Sequence, residues 1–107
     1  GYRKEEKIRT IIDYINLHYQ EELTIDHLAN ICSYSATHFM NFFKKHIGIS
    51  CMEFLIQFRL RKATELLQHS NLSVLEIASQ SGFNNLSNFN RQFKKYYQMT
   101  PRQYRKK

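Results

Sequence analysis

The feature that most constrains the fold of this chain is an internal repeat at an offset of 49 or 50 residues. The corresponding segments are Thr24-Ile25 and Ser73-Val74, Leu28-Ala29 and Ile77-Ala78, Ser33-Tyr34 and Gly82-Phe83, Phe39 and Phe89, Phe43-Lys44-Lys45 and Phe93-Lys94-Lys95, Ser50 and Thr100, and Phe54 and Tyr104. Each copy has the pattern of a short helix, a tight turn and a longer helix that ends in a basic pair. The repeat therefore predicts two helix-turn-helix units.

Apolar residues recur at helical spacing along the whole chain. The spacing and the capping residues predict helices over about 5–19, 25–31, 35–46, 50–69, 73–81 and 84–97, and a last short helix from 100 onward. No stretch alternates apolar and polar residues over the length of a strand, so we expect an all-α fold of about seven helices. We expect a first helix-turn-helix subdomain over residues 1–49, a linker helix over 50–69 and a second subdomain over 70–107.

A helical wheel separates an inward face from an outward face on the longer helix of each unit. The inward residues are Ala36, Phe39, Phe43 and Ile47 in the first unit, and Leu86, Phe89 and Phe93 in the second. The outward residues are Thr37, Asn41, Lys44 and Lys45, and Ser87, Arg91, Lys94 and Lys95. Asn and Arg can pair with base edges while Lys neutralises phosphates, so these faces suit helices that lie in a DNA major groove. An ordinary solvated surface is the alternative, and the second copy of the same pattern argues against it.

The net charge of +7 is unevenly distributed along the chain. Residues 1–76 hold nine basic and nine acidic side chains, whereas residues 77–107 hold seven basic side chains and no acidic one. A second acid-free stretch runs from His27 to Met52 around Lys44 and Lys45. Two positive zones indicate a polyanionic partner with two contact points, although charge alone is equally compatible with a solvated face and a basic tail.

The composition argues against several classes of enzyme. The three glycines are scattered, which excludes the glycine-rich phosphate loops of nucleotide enzymes. Cys32 and Cys51 have no disulfide or zinc spacing, so we expect both to be reduced, and the five histidines lack metal-ligand spacing. We expect no catalytic residue, no metal, no cofactor and no enzymatic activity.

The hydropathy pattern gives no sign of a membrane partner. No apolar run approaches the roughly 18 residues of a membrane span, and the first residues lack the apolar segment of a signal peptide. We therefore expect a cytoplasmic protein.

The helix between the two units is predicted to measure about 30 Å, at 1.5 Å per residue over about 20 residues. Successive major-groove faces on one side of B-DNA are about 34 Å apart. One chain is therefore expected to place its two reading helices in adjacent grooves, without the twofold symmetry of a repressor dimer.

Several linked motifs resemble the DNA-binding domain of AraC/XylS-type transcription regulators, over nearly the whole chain. These motifs are Leu28-Ala29, Ser35, Phe43-Lys44-Lys45, Gly48, Arg59-Leu60 with Ala63 and Leu66-Leu67, Glu76-Ile77-Ala78, Gly82-Phe83, Phe89, Phe93-Lys94, and Pro101 with Tyr104-Arg105. The resemblance implies a homeodomain-like, AraC-type fold of seven helices that contacts asymmetric promoter sites over two major grooves. It also implies an activator that works with RNA polymerase and lies C-terminal to an effector-binding or phosphorylation-receiving domain.

Positions that match the family's motifs suggest which side chains contact DNA. The implied base-reading residues are Thr37, Met40 and Asn41 in the first unit, and Leu86, Ser87, Asn90 and Arg91 in the second. The implied phosphate ligands are Lys44, Lys45, Lys94, Lys95 and Arg102.

The sequence departs from the family pattern at positions that bear on backbone strain and on base readout. Ser33 and Gln98 stand where the family commonly has glycine, and each carries modest strain if its φ is positive. Met40 and Asn41 stand where the family often has longer polar or basic residues, so we expect base readout by the first unit to be weaker or more dependent on thymine methyl groups.

Two other functions are compatible with parts of the pattern. A basic helical module could bind an acidic protein or an anionic membrane surface, and it would expose an apolar stripe on its C-terminal helices. The same fold also occurs as the accessory DNA-binding part of DNA-repair enzymes, although this chain has no recognisable nucleophile site.

Overall fold

The computed structural model describes residues 3–107, and within them every regular element is an α-helix. The seven helices are α1 (Lys4–His18), α2 (Ile25–Ile31), α3 (Ala36–Ile47), α4 (Cys51–His69), α5 (Val74–Gln80), α6 (Leu86–Tyr97) and α7 (Pro101–Lys106). The all-α prediction is confirmed, and the predicted helix bounds agree with these to within one or two residues.

The chain divides into two compact units, of which the first ends at Leu55 and the second runs from Ile56 to Lys107. The division falls inside α4, so this helix contributes its first turn to one unit and its remainder to the other. The first unit contains α1, α2 and α3, and the second contains α5, α6 and α7.

Side-chain caps hold the starts of α2 to α7, whereas α1 begins without a side-chain cap bond. The side chains of Ser35 and Asn85 accept hydrogen bonds from the backbone N–H groups of the third residues of α3 and α6. Ser73 and Glu76 form a reciprocal capping box at the start of α5. A second capping box at α7 pairs Thr100, which directly precedes Pro101, with Gln103 two residues after the proline. These local bonds satisfy backbone donors that a helix start leaves unpaired.

The turn that follows the short helix has the same geometry in both units. Its left-handed residue is Ser33 in the first unit, with φ 62°, and Gly82 in the second, with φ 100°. In each unit the next residue donates its N–H to an alanine carbonyl of the preceding helix, at 3.0 Å in both cases. The repeat that the sequence predicts is therefore present in the backbone hydrogen bonds.

The longer helix of each unit also ends on a left-handed residue. Gly48 ends α3 with φ 99°, and Gln98 ends α6 with φ 61°. The N–H groups of these residues bond to the carbonyls of Lys44 and Lys94 respectively. Each unit thus has two left-handed positions and fills only one of them with glycine, so Ser33 and Gln98 carry the expected strain.

Pairs of phenylalanines form the centre of both units. Phe39 and Phe43 are fully buried in the first unit, with ring centroids 6.0 Å apart, and Phe89 and Phe93 are fully buried in the second, 5.7 Å apart. The second ring of each pair meets an aromatic ring of the following helix edge-on. The buried cluster of the second unit consists of Leu60, Ala63, Leu67, Ile77, Ala78, Phe83, Phe89 and Phe93.

Three apolar residues differ from the sequence prediction. Leu86 was expected to point inward but is 36% exposed, and Met52, which shares the apolar spacing of α4, is 43% exposed. Both lie within the first two residues of their helices, where side chains lean back toward the N-terminus and extend past the packed face. Phe42, to which the wheel assigned no core role, is buried because the ring of Tyr34 meets it edge-on.

Replacing Gly48 and Ser33 tests the strain at the left-handed positions. We expect Gly48→Ala to lower the free energy of unfolding by about 1–2 kcal/mol, the cost of a Cβ in left-handed backbone. A Cβ at Gly48 would meet no other atom within 4 Å, so the whole loss is backbone strain. We expect Ser33→Gly to raise the free energy of unfolding by about 0.5–1 kcal/mol, since relief of strain outweighs the entropy of glycine. Urea unfolding measures both, and a loss of stability in Ser33→Gly would contradict the strain.

Candidate nucleic-acid interface

The outward face of α3 presents all the side chains predicted for it. Thr37, Met40 and Asn41 are exposed, as are the two lysines that follow them, Lys44 and Lys45. Met40 is 46% exposed, which is unusual for a large apolar side chain and places a thioether among polar groups. The five side chains offer hydrogen-bonding, apolar and cationic groups on one helix.

Packing fixes which side of α3 faces outward. Phe39 and Phe43 are fully buried and Phe42 is 5% exposed, so three aromatic rings hold the helix against the rest of the first unit. Rotation about the helix axis would bring at least one of these rings into water, at a cost of about 1.5–3 kcal/mol for each side chain exposed. The predicted reading face therefore has a single orientation within its unit.

A cation that the sequence interpretation missed lies beside the start of α3. Lys7 of α1 donates from Nζ to the carbonyl of Cys32 at 3.0 Å and lies 4.2 Å from the ring centroid of Tyr34. The other flank of Tyr34 stacks on His38 at 3.9 Å. Lys7 thereby ties α1 to the turn that leads into α3. No local pattern announces this contact, because its partners are 25 or more residues away in the sequence.

In the second unit, the predicted side chains line one open groove of about 830 Å³. The predicted contact residues that line it are Leu86, Asn90, Arg91, Lys94, Lys95 and Arg102. Ser87, the remaining predicted base reader, is exposed on α6 but does not line the groove. The fold thus brings together residues of α6 and α7 that the sequence assigned to bases and to phosphates.

The start of α5 adds residues to this groove that the sequence interpretation did not include. Ser73, Val74 and Leu75 line it, and Leu75 is 62% exposed. Leu75 lies outside the helical spacing that Val74, Ile77 and Ala78 follow toward the core. An apolar residue off that spacing is the feature from which an exposed apolar contact could have been predicted. Leu75 and Leu86 are both exposed and line the groove together with its cationic residues.

The groove has four cationic residues and no acidic one among the residues that line it. Lys94 and Lys95 lie in the last turn of α6, where the helix dipole favours cations. Arg91, Lys94, Lys95 and Arg102 are all exposed and line the groove together. The arrangement attracts an anion and offers hydrogen-bond donors to it.

The cysteines have the properties of buried core residues. Both are free and buried, and burial raises the pKa of Cys51 to about 12 and also raises the pKa of Cys32. Both groups are therefore protonated thiols at neutral pH, which is the unreactive form. Within residues 3–107, no helix has both the length and the apolar character needed to cross a membrane.

Comparison with known families finds a match over most of the chain. The family model for a helix-turn-helix domain matches residues 28–107. An uncharacterized HTH-type transcriptional regulator of Haemophilus influenzae is 37% identical over 103 residues, which cover 96% of this chain and 35% of that protein. YdeC, an uncharacterized HTH-type transcriptional regulator of Bacillus subtilis, is 30% identical over the same shares of both chains. This chain thus spans about a third of the length of these relatives.

Solved structures share both the fold and part of the sequence. The C-terminal domain of the two-component response regulator yesN from Fusobacterium nucleatum matches with a TM-score of 0.87 and 38% identity, over 91% of this chain and 95% of that one. The C-terminal domain of AraT, a response regulator from Geobacillus stearothermophilus, gives 0.89 and 32%, over 94% and 84%. The DNA-binding domain of AdpA, a global transcriptional factor solved with a target DNA, gives 0.89 and 25%, over 94% and 90%.

Proposed function

The chain belongs to the AraC-type helix-turn-helix family and is a DNA-binding domain of a transcription regulator, and we propose that α3 and α6 each read one of two adjacent major grooves. The observation that carries this proposal is the duplicated unit. In both copies a buried phenylalanine pair turns an exposed polar face outward, and two lysines end that face.

The chemistry of the two faces supports base readout of different kinds. In the first unit, Thr37 and Asn41 supply hydrogen bonds and Met40 supplies an apolar contact suited to a thymine methyl group. In the second unit, Arg91 can bond guanine O6 and N7 together, while Ser87, Asn90 and Leu86 provide shorter polar and apolar contacts. We therefore propose that the two units recognise unlike sequences, as an asymmetric promoter site requires.

The exposed cations beside both faces support contacts to the DNA backbone. We propose that Lys44, Lys45, Lys94, Lys95 and Arg102 contact phosphates and set the register of the domain on the duplex. Such contacts are independent of base sequence and weaken as salt rises, because each one releases counterions.

The full regulator is proposed to be longer than this chain. The relatives from Haemophilus influenzae and Bacillus subtilis are about three times its length, and two of the structural neighbours are C-terminal domains of response regulators. We propose that an upstream part binds an effector or receives a phosphate, and that the protein activates transcription with RNA polymerase in the cytoplasm. In this function the domain acts by binding and not by catalysis.

The exposed apolar groups do not favour the alternative of an acidic-protein or membrane-binding module. That function needs a continuous apolar stripe on the C-terminal helices. Phe89 and Phe93 are fully buried, and the exposed large aliphatic side chains of α5, α6 and α7 are Leu75 and Leu86. A short apolar patch among cations is also suited to contact with the methyl groups of bases and with the sugars of DNA.

Footprinting of the isolated domain tests groove occupancy. We expect the monomer to protect about two turns of duplex on one face, because each unit carries its own reading helix. Selection from random duplexes followed by hydroxyl-radical footprinting gives the site and its extent. Protection of a single groove, or binding that depends on a palindrome, would contradict the proposal.

Alanine replacement of the two lysine pairs tests the phosphate contacts. With all four replaced, we expect the slope of log affinity against log salt to flatten by about 0.9 per lost contact, equally on selected and random DNA. Lys4→Ala with Arg9→Ala is the matched control, since it removes exposed cations from α1. If the salt dependence of affinity is as steep in the lysine variant as in the control, the four lysines do not contact phosphates and are merely solvated.

Arg91→Ala tests base readout by the second unit. We expect the selected site to lose about 1–3 kcal/mol of binding free energy and to lose preference at one guanine-containing step. Arg91→Lys should keep affinity for random DNA without restoring that preference, since an ammonium lacks the planar fork. Competition binding measures both variants. Equal weakening on selected and random DNA would make Arg91 a phosphate ligand and leave readout to Leu86, Ser87 and Asn90.

A further inference from the structure

One hydrogen bond on α6 joins a proposed base reader to a residue that so far has no role. Arg91 donates from Nη2 to Oδ1 of Asn88 at 2.8 Å. The two residues are three positions apart, so they lie on neighbouring turns of the same helix face. We propose that Asn88 is a positioning residue that holds the Arg91 guanidinium in place for contact with guanine. This inference rests on the proposed function.

The surroundings of Asn88 limit the movement of its side chain. Its backbone N–H is capped by Oδ1 of Asn85 at 2.7 Å, and its side chain is half-buried. Gln92 Nε2 also approaches Asn88 Oδ1, at 3.5 Å, from the half-buried side of the helix. The cap therefore fixes the backbone of Asn88 and Gln92 contacts its side-chain oxygen, whereas Arg91 is exposed.

The hydrogen-bond geometry of arginine leaves its reading capacity intact. A guanidinium offers two parallel pairs of donors, one from both Nη atoms and one from Nε with Nη2. Nη2 has two hydrogens and contributes one to each pair, so a bond from Nη2 to Asn88 uses a single pair. The other pair remains free for the O6 and N7 atoms of a guanine.

A neutral acceptor suits this task better than a carboxylate. No acidic side chain lines the groove, so no carboxylate there pairs with Arg91. Lys94 and Lys95 lie about one turn further along α6 and repel the guanidinium toward Asn88. The amide oxygen thus orients the cation without cancelling its attraction for DNA.

The first unit lacks this device. Asn88 corresponds to His38, whose ring stacks on Tyr34, and Arg91 corresponds to the short Asn41. A short side chain has fewer rotamers to restrict and needs no such support. The positioning role is therefore specific to the unit that carries a long, flexible reader.

The test removes the acceptor with Asn88→Leu and restores it with Asn88→Asp. We expect Asn88→Leu to weaken binding to the selected site by about two- to tenfold, the range expected when one long side chain must be immobilised at an interface. Preference at the guanine step should fall, and affinity for random DNA should change little. Asn88→Asp should keep that preference while its negative charge weakens binding to all DNA. Asn16→Leu, the same change on the exposed surface of α1, is the matched control.

A double-mutant cycle with Arg91→Ala separates positioning from direct contact. If Asn88 acts through Arg91, Asn88→Leu has no further effect on the selected site once Arg91 is alanine. Equal losses in the presence and absence of Arg91 would mean that Asn88 contacts DNA itself, and would overturn the proposal.

Side-chain NMR of the DNA-free domain gives a readout that does not depend on DNA binding. We expect the Arg91 guanidinium resonances to show restricted rotation in the wild type and in Asn88→Asp, and free rotation in Asn88→Leu. Identical Arg91 signals in wild type and Asn88→Leu would overturn the positioning role.

The failure of this inference can be distinguished from the failure of the proposed function. A wild-type domain that selects no DNA sequence would overturn the proposed function, whereas failure of positioning alone leaves sequence selection by the wild type in place.

Discussion

Burial of one phenylalanine pair on each reading helix is the interaction on which the rest of the structure depends. Phe39 with Phe43, and Phe89 with Phe93, place two large rings one turn apart on the same face and remove them completely from water. Full burial of each ring contributes about 1.5–3 kcal/mol, which far exceeds any bond that the exposed face makes within the domain. The buried side decides the rotation of the helix. The polar side, which we propose reads DNA, is consequently free to vary without loss of this packing.

The second constraint is the backbone that connects these helices. Each unit needs a left-handed residue before its reading helix and another at its end, and Ser33 and Gln98 accept that conformation without being glycine. The strain is modest beside the aromatic burial, so it persists. Because Tyr34 and Phe83 each donate to the corresponding alanine carbonyl of the preceding helix, at the same distance, the turn ahead of the longer helix is closed by a common hydrogen bond. The difference between the units lies in their side chains.

That difference suggests a division of labour on DNA. The first unit offers short polar groups and Met40, and its Lys7 reinforces the turn ahead of α3. The second unit collects its cations and two exposed leucines around one groove, with Arg91 held by Asn88. In our proposal the second unit supplies the more selective, guanine-directed contact, because a long planar cation gains most from being held in place before it binds.

The amino-acid sequence alone showed the repeat, and it predicted the helices and the inward pairs Phe39-Phe43 and Phe89-Phe93, because these depend on neighbours within one or two helical turns. It also located the exposed residues of both reading faces, whose contacts with DNA stay predictions. Only the tertiary structure decided that Leu86 lies in the groove with Leu75, that Phe42 is buried and that Lys7 reaches Tyr34. Periodicity indicates which side of a helix faces the core, but it does not indicate where a neighbouring helix lies or ends. Contacts between residues far apart in the sequence depend on how the helices are placed, and only the tertiary structure gives that placement.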